Sequence, residues 1–174
     1  VRAKKSAVCV GLDPRWGSLP DSIRSGINAD DRSAVAGATE CYCRHVIDAV
    51  AEFAPVVKPQ AAFFEQLGPH GMVVLGSVIQ YARQAGLLVL LDGKRGDIGT
   101  TAEAYADAYL GDASAWQCDA LTVNPYLGDD TLKPFVTKRK KDGVKPRTIA
   151  ITLQRVGRIL NKAAREWADK ETRR

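Results

Sequence analysis

The chain has 174 residues, of which 45% are apolar, so it is long enough to bury one hydrophobic core and a single domain, 1–174, is expected. No apolar run approaches the roughly 18 residues of a membrane span, and no signal peptide is visible. The net charge of +5 is concentrated at one end, because residues 138–174 hold 13 Lys and Arg against 4 Asp and Glu. No zinc finger, RNP aromatics or Arg-Gly repeat accompanies this basic tail, so we expect a solvated surface rather than a nucleic-acid or membrane site.

The hydrophobic pattern predicts strands that alternate with helices along the whole chain. The predicted strands are residues 7–12, 55–57, 87–91, 120–123 and 148–153. The predicted helices are residues 31–53, capped by Asp30 or Asp31, 72–85, ending at Gly86, 101–110, capped by Thr100 or Thr101, 129–138 and 154–174. Alternation at this spacing favours a parallel sheet built from five β/α units.

Polar residues follow four successive predicted strands, and they are Asp13, Lys58, Asp92 with Lys94, and Asn124. In a (β/α)₈ barrel these strand ends form one mouth, whereas a doubly wound sheet concentrates its ligands at one switch point. No GxGxxG follows the first strand, which disfavours a dinucleotide-binding domain. We therefore predict an α/β fold of the (β/α)₈ TIM-barrel type, with about five of the eight units in this chain.

The strand at 87–91 is the strongest single indication of a functional site. Its five apolar residues are typical of a strand buried on both faces, and they run directly into Asp92, Lys94 and Asp97. Residues i and i+2 of a strand point to the same side, so Asp92 and Lys94 are expected to share a face, with Asp97 in the loop beyond. Charges at the end of a buried strand are costly unless they pair or act on a ligand.

The four cysteines contain no CxxC pair, which indicates a reduced, cytoplasmic protein rather than a disulfide framework. Cys9 and Cys118 lie in or beside apolar segments and are predicted to be buried. Cys41, Cys43 and His45 fall in the predicted helix 31–53, where positions i and i+4 share a face but i+2 does not. The three side chains therefore cannot converge, and no metal site is expected there.

Four motifs in the same order resemble orotidine 5′-phosphate decarboxylases, in particular their longer bacterial branch. The motifs are VGLDPR around Asp13, VKPQAAFFE around Lys58, DGKRGDIG within the family signature DxKxxDIxxT, and LTVNPYLG around Asn124. They span residues 6–137, so 1–138 resembles the N-terminal part of the family's barrel. The resemblance implies decarboxylation of orotidine monophosphate to UMP in pyrimidine synthesis, with no metal and no organic cofactor.

The resemblance also implies a role for each charged residue at the strand ends. Lys94 would be the cation beside the reacting carbon and the proton donor, and Asp92 would lie by the substrate carboxylate. Lys58 and Asp97 would complete a Lys-Asp-Lys-Asp array, while Asp13 would bind a ribose hydroxyl together with Lys58. Asp97 and Thr101 would be lent across the interface of a homodimer, so that each active site needs two chains.

The segment 139–174 does not resemble the family, and the later strands and phosphate-binding loops are absent from the 174 residues. Activity of this chain by itself is therefore doubtful. Two alternative functions stay open. One is a Mg²⁺-dependent sugar-phosphate decarboxylase or lyase of the same superfamily, although Lys58 stands where those relatives carry an acidic residue and would repel the metal. The other is an inactive barrel fragment that acts only as an interaction module.

Overall fold

The sheet is parallel throughout and its strands lie in chain order. The computed structural model describes residues 4–110 and 113–141, with side chains up to residue 138. The strands are β1 (Cys9–Leu12), β2 (Val56–Pro59), β3 (Leu88–Arg95) and β4 (Ala120–Val123), in the order β1-β2-β3-β4. Parallel neighbours need a crossover, and helices supply each one, as in successive units of a β/α barrel.

The helices form the layer outside the sheet. They are α1 (Asp21–Arg24), α2 (Arg32–Val50), α3 (Ala62–Glu65), α4 (Gly68–Gln84), α5 (Gly99–Tyr109) and α6 (Asp129–Lys141). Asp31 caps α2 by accepting hydrogen bonds from the backbone N–H groups of Ser33 and Ala34, at 3.0 and 3.1 Å. Among the described residues, no helix is long and apolar enough to cross a membrane.

The hydrophobic core lies between the sheet and the two long helices, α2 and α4. Val57 and Val89 are fully buried and lie side by side on β2 and β3, because these residues are partners in the parallel register. Helices α2 and α4 also pack against each other through a polar contact, in which Arg44 donates to Glu40 and to Ser77. The core residues supplied by the helices include Cys43, Ile47, Leu75, Val78 and Ile79.

Most of the predicted elements are confirmed, with differences at their ends. Gly86 has a φ of +74°, the left-handed geometry expected after a helix C-terminus. The short helix α3 was not predicted, and α4 begins four residues before the predicted start at 72, with Pro69 in its first turn. The predicted cap of α5 was wrong, because Ile98 holds that position and makes no side-chain capping bond.

The prediction for Cys9 was also wrong. Cys9 is exposed, because β1 is an end strand of the described sheet and has a neighbour on one side only. Cys118 is buried as predicted, and its burial raises the pKa of the thiol to about 12. The predicted strand 148–153 and helix 154–174 lie outside the described residues.

Candidate active site

The carboxyl ends of β2, β3 and β4 bring one cluster of polar side chains together at one edge of the sheet. Lys58 lies on β2, Asp92 and Lys94 on β3, and Thr122 on β4. All three strands are parallel and end at the same edge of the sheet, so residues more than 25 positions apart in sequence lie close together there. A further bridge between Gln60 and Asp92 continues the pairing of β2 with β3 past the end of the regular strand.

Asp92 is the centre of this cluster and is 8% exposed. Its Oδ2 atom accepts hydrogen bonds from Lys58 Nζ at 2.9 Å and from Gln60 Nε2 at 3.0 Å. Its Oδ1 atom accepts from Lys94 Nζ at 2.6 Å and from Thr122 Oγ1 at 2.8 Å. A buried carboxylate costs free energy unless its lone pairs are satisfied, and here four donors satisfy them, three on strands and one, Gln60, directly after β2.

The two lysines keep Asp92 ionised. Burial by itself would raise the pKa of Asp92, but the hydrogen bonds from Lys94, Lys58 and Thr122 outweigh it and hold that pKa well below its usual range. The hydrogen bond to Asp92 in turn raises the pKa of Lys58, with smaller electrostatic contributions from Asp92 and Asp13. The arrangement is therefore a carboxylate between two ammonium groups at neutral pH.

The backbone at Lys94 has an unusual conformation. Its φ is +47°, in the left-handed region that costs a residue with a Cβ about 1–2 kcal/mol. The pairing of β3 with β4 is irregular at this point, since Leu91 pairs with Leu121 but Arg95 pairs with Val123. Two extra residues of β3 therefore bulge against Thr122. At this bulge the exposed Lys94 side chain pairs with Asp92, and backbone strain of this kind is often found at functional sites.

The remaining predicted site residues lie around this cluster. Asp13 follows β1, is exposed, and acts on Lys58 only through its charge. Asp97 lies in the loop after β3, as predicted, and accepts a hydrogen bond from the backbone N–H of Ile98 at 2.7 Å. Thr101 is exposed in the first turn of α5. Within the described part of the chain, Asp97 makes no ion pair, so this single chain brings Lys58, Asp92 and Lys94 together but leaves Asp97 outside the array.

The sequence reasoning missed three residues that support this cluster. Gln60 and Thr122 both donate to Asp92, and each lies two positions from a residue that the sequence did indicate, Lys58 and Asn124. Arg95 supports the other side of β3, where it pairs with the Glu65 carboxylate and donates to the Gly93 carbonyl at 3.0 Å. The period-2 alternation of strands would have indicated Gln60 and Thr122.

Cys41, Cys43 and His45 do not converge, as their spacing on a helix predicts. Cys43 is fully buried in the core, whereas Cys41 and His45 are exposed one turn apart on α2. Cys41 Sγ lies 3.6 Å from His45 Nδ1. Across residues 4–110 and 113–138, no group of three or more His, Cys, Asp or Glu side chains has the geometry to hold a metal ion.

Comparison with known proteins identifies relatives of this chain. The model of the orotidine 5′-phosphate decarboxylase / HUMPS family matches residues 6–171. A curated orotidine 5′-phosphate decarboxylase of Rhodopirellula baltica is 60% identical over 135 residues, which cover 75% of this chain and 45% of that protein. One of Nocardioides sp. is 45% identical over 155 residues, covering 89% of this chain and 54% of that protein.

Solved structures show the same likeness. The structure of the Leishmania donovani OMP decarboxylase superposes with a TM-score of 0.59 at 39% sequence identity, covering 78% of this chain and 46% of that one. The chain thus spans about half the length of the curated relatives it matches. The boundary drawn at residue 138 between the family-like part and the tail stays a prediction.

Proposed function

The chain belongs to the orotidine 5′-phosphate decarboxylase / HUMPS family, whose fold is a (β/α)₈ barrel, and on that premise we propose that its protein converts orotidine monophosphate to UMP. The observation that carries the proposal is the Lys58–Asp92–Lys94 array at the carboxyl edge of the sheet. In β/α barrels this edge holds the active site. Relatives named for this activity, at up to 60% identity, support the same substrate.

Lys94 would stabilise the negative charge formed at the reacting carbon and then protonate that carbon. Loss of CO₂ breaks the bond between C6 of the pyrimidine and the carboxylate carbon, and the electron pair stays on C6. An ammonium group held close to C6 stabilises that developing negative charge, most strongly where water is excluded. The same group can then transfer its proton to C6, which leaves UMP. Its contact with Asp92, at 2.6 Å, would fix the ammonium in place.

The neighbouring groups would bind and orient the substrate. Asp92, held ionised by its donors, would lie by the substrate carboxylate. Repulsion between the two carboxylates would raise the free energy of the bound substrate, and the loss of neutral CO₂ would relieve it. Asp13 and Lys58 would hydrogen-bond the ribose. Alternating charge keeps the array electrically balanced while the site is empty. No step of this sequence needs a metal or an organic cofactor.

The active enzyme would be a homodimer with shared active sites. Asp97 and Thr101 would complete the array of the partner subunit, which agrees with their position outside the cluster of their own chain. Apolar side chains at the same edge support an interface there: Ile98, Tyr126 and Leu127 are 61%, 85% and 57% exposed. These residues follow β3 and β4, two adjacent parallel strands, and exposed apolar groups at one edge are candidates for a protein contact.

A Mg²⁺-dependent sugar-phosphate decarboxylase or lyase is the second candidate, since the family description includes more than one activity. Lys58 argues against it, because its ammonium lies 2.9 Å from Asp92 and would repel a cation bound by that carboxylate. The third candidate is an inactive barrel fragment that serves only as an interaction module. The cytoplasmic location expected from the cysteines stays a prediction.

One assay separates the three candidates. Orotidine monophosphate or, separately, a sugar phosphate is added to a version of the protein with the full length of its curated relatives. Released CO₂, UMP and the products of the sugar phosphate are measured with and without EDTA. We expect UMP formation that EDTA does not change. No turnover of orotidine monophosphate would overturn the proposal. Turnover of the sugar phosphate that EDTA abolishes and Mg²⁺ restores would then favour the metal-dependent lyase, and no turnover of either substrate would favour the interaction module.

A further inference from the structure

The hydroxyl of Thr122 makes two hydrogen bonds that join the main parts of the charge cluster. It donates to Asp92 Oδ1 at 2.8 Å, and it accepts from the backbone N–H of Lys94 at 2.9 Å. A hydroxyl has one proton and two lone pairs, so it can serve both partners at once. Nothing in the sequence resemblance gives this threonine a role.

These two bonds close a ring around the strained residue. The ring runs from the Lys94 amide to Thr122, from Thr122 to Asp92 Oδ1, and from the same oxygen atom back to Lys94 Nζ at 2.6 Å. Lys94 is thereby held at both its backbone and its ammonium group. Lys94 has its left-handed φ of +47° in this ring. A strained conformation persists only where its surroundings determine it, and Thr122 supplies the bond on the backbone side.

The alternative is that Thr122 only stabilises the fold. The location of its bonds argues against that reading. The Lys94 amide is at the exposed end of the cluster, so water could satisfy it without the threonine. What water cannot do is hold the backbone at a fixed distance from Asp92. The hydroxyl therefore fixes the direction in which the Lys94 side chain leaves the backbone, and a proton donor needs a fixed direction relative to the atom that it protonates.

We propose that Thr122 is a positioning residue, which acts through Lys94 and Asp92 to aim the Lys94 ammonium at the reacting carbon. This inference rests on the proposed function and adds to it a residue on β4 that does not touch the substrate. Removing the hydroxyl would lower the rate of the chemical step more than it weakens substrate binding. A displacement of about 1 Å at a reacting group can reduce a rate about a hundredfold.

The test compares Thr122→Val, which keeps the shape of the side chain but removes the hydroxyl, with Thr122→Ser, which keeps the hydroxyl. Thr39→Val is the matched control, because Thr39 is a buried threonine on α2 away from the cluster. All are made in the full-length version described above. We expect Thr122→Val to lower kcat at least about tenfold with KM within about threefold of the parent. Thr122→Ser should restore most of kcat, and Thr39→Val should leave both constants unchanged.

A second measurement reports on Lys94 without any turnover. Hydrogen exchange of the backbone amides is followed across residues 93–95 in the parent and both Thr122 variants. We expect faster exchange at Lys94 in Thr122→Val and parent-like exchange in Thr122→Ser. If the parent itself does not turn over, the proposed function fails, while exchange still decides whether Thr122 holds Lys94. Parent-like kcat in an active Thr122→Val, or unchanged exchange at Lys94, would overturn the inference, as would a loss of kcat that Thr122→Ser does not restore.

Discussion

At the scale of single residues, the proposed chemistry depends on Lys94, which combines a strained backbone with an ion pair to Asp92. Lys94→Ala removes the proposed proton donor but only one of the four donors to that carboxylate. We expect kcat to fall at least about a hundredfold, since one preorganised charge at a reacting centre contributes roughly 3 kcal/mol or more. Lys133→Ala, at an exposed lysine on α6, is the control. A Lys94→Ala enzyme within tenfold of the parent would exclude this role.

The lowered pKa of Asp92 predicts how the free energy of unfolding changes with pH. Its pKa is lower in the folded protein than the value of about 3.9 expected for an unfolded chain. A carboxyl with a depressed pKa stabilises the fold fully above that unfolded value, and its contribution is lost as the pH falls through the folded value. We therefore expect the free energy of unfolding of the parent to decrease below about pH 4.

Asp92→Asn should flatten this dependence, because the amide does not titrate. The variant should also be less stable than the parent at pH 7 by about 1–3 kcal/mol, since Lys58 and Lys94 lose their carboxylate partner. Urea unfolding at a series of pH values between 3 and 7 measures both effects. Parallel curves for parent and variant would show that Asp92 does not carry the acid sensitivity.

At the scale of secondary-structure elements, the contact of α3 with α4 depends on one glycine. A Cβ at Gly71 would lie 1.9 Å from the Phe64 carbonyl oxygen and 2.8 Å from Leu67 Cβ. Gly76, on the same helix, is a matched position at which a Cβ would meet only the Trp116 ring, at 3.8 Å. The two glycines therefore differ in the space available for a Cβ, although both lie on the helix α4.

We expect opposite effects when each glycine becomes alanine. Gly71→Ala should destabilise the protein by about 1–3 kcal/mol, because backbone cannot move aside as a flexible side chain would. Gly76→Ala should stabilise it by up to about 1 kcal/mol, since alanine is the better helix former. Thermal unfolding of both variants measures the difference. A Gly71→Ala protein as stable as the parent would mean that α3 shifts freely relative to α4.

At the scale of the whole molecule, the proposed homodimer predicts that two inactive variants rescue each other. Lys94→Ala and Asp97→Asn full-length chains should each be nearly inactive. In a mixed dimer, one of the two sites receives Lys94 from one chain and Asp97 from the other. Random exchange should therefore restore about a quarter of the parent activity. No recovery, under conditions in which mass spectrometry shows subunit exchange, would indicate that each site is built from one chain.

A second prediction concerns the association and activity of the 174 residues when they are expressed alone. The described sheet has β1 and β4 as its end strands, and Val8, the residue before β1, is 56% exposed. Open sheet edges and exposed apolar groups favour association. We expect aggregates or oligomers with negligible decarboxylase activity, measured by light scattering and by UMP formation. A stable monomer with a cooperative thermal transition would contradict the first part, and turnover equal to that of the full-length version the second.

The amino-acid sequence by itself determined the order of strands and helices and most of the charge cluster. Periodicity, helix caps and glycines act over a few residues, so the buried run of β3, the cap at Asp31 and the helix end at Gly86 could be predicted. The four motifs indicated the family, which the comparisons show. Asp92 and Lys94 could be placed on one strand end because they are two residues apart.

Only the tertiary structure decided which distant groups meet and which are buried. Lys58 and Asp92 are 34 positions apart, and it is the parallel register that brings them to 2.9 Å. The bulge of β3 against β4 joins Thr122 to Lys94, and no local pattern predicts it. Cys9 is exposed for the same reason, because burial depends on the neighbours that a strand acquires in the sheet rather than on its own side chains.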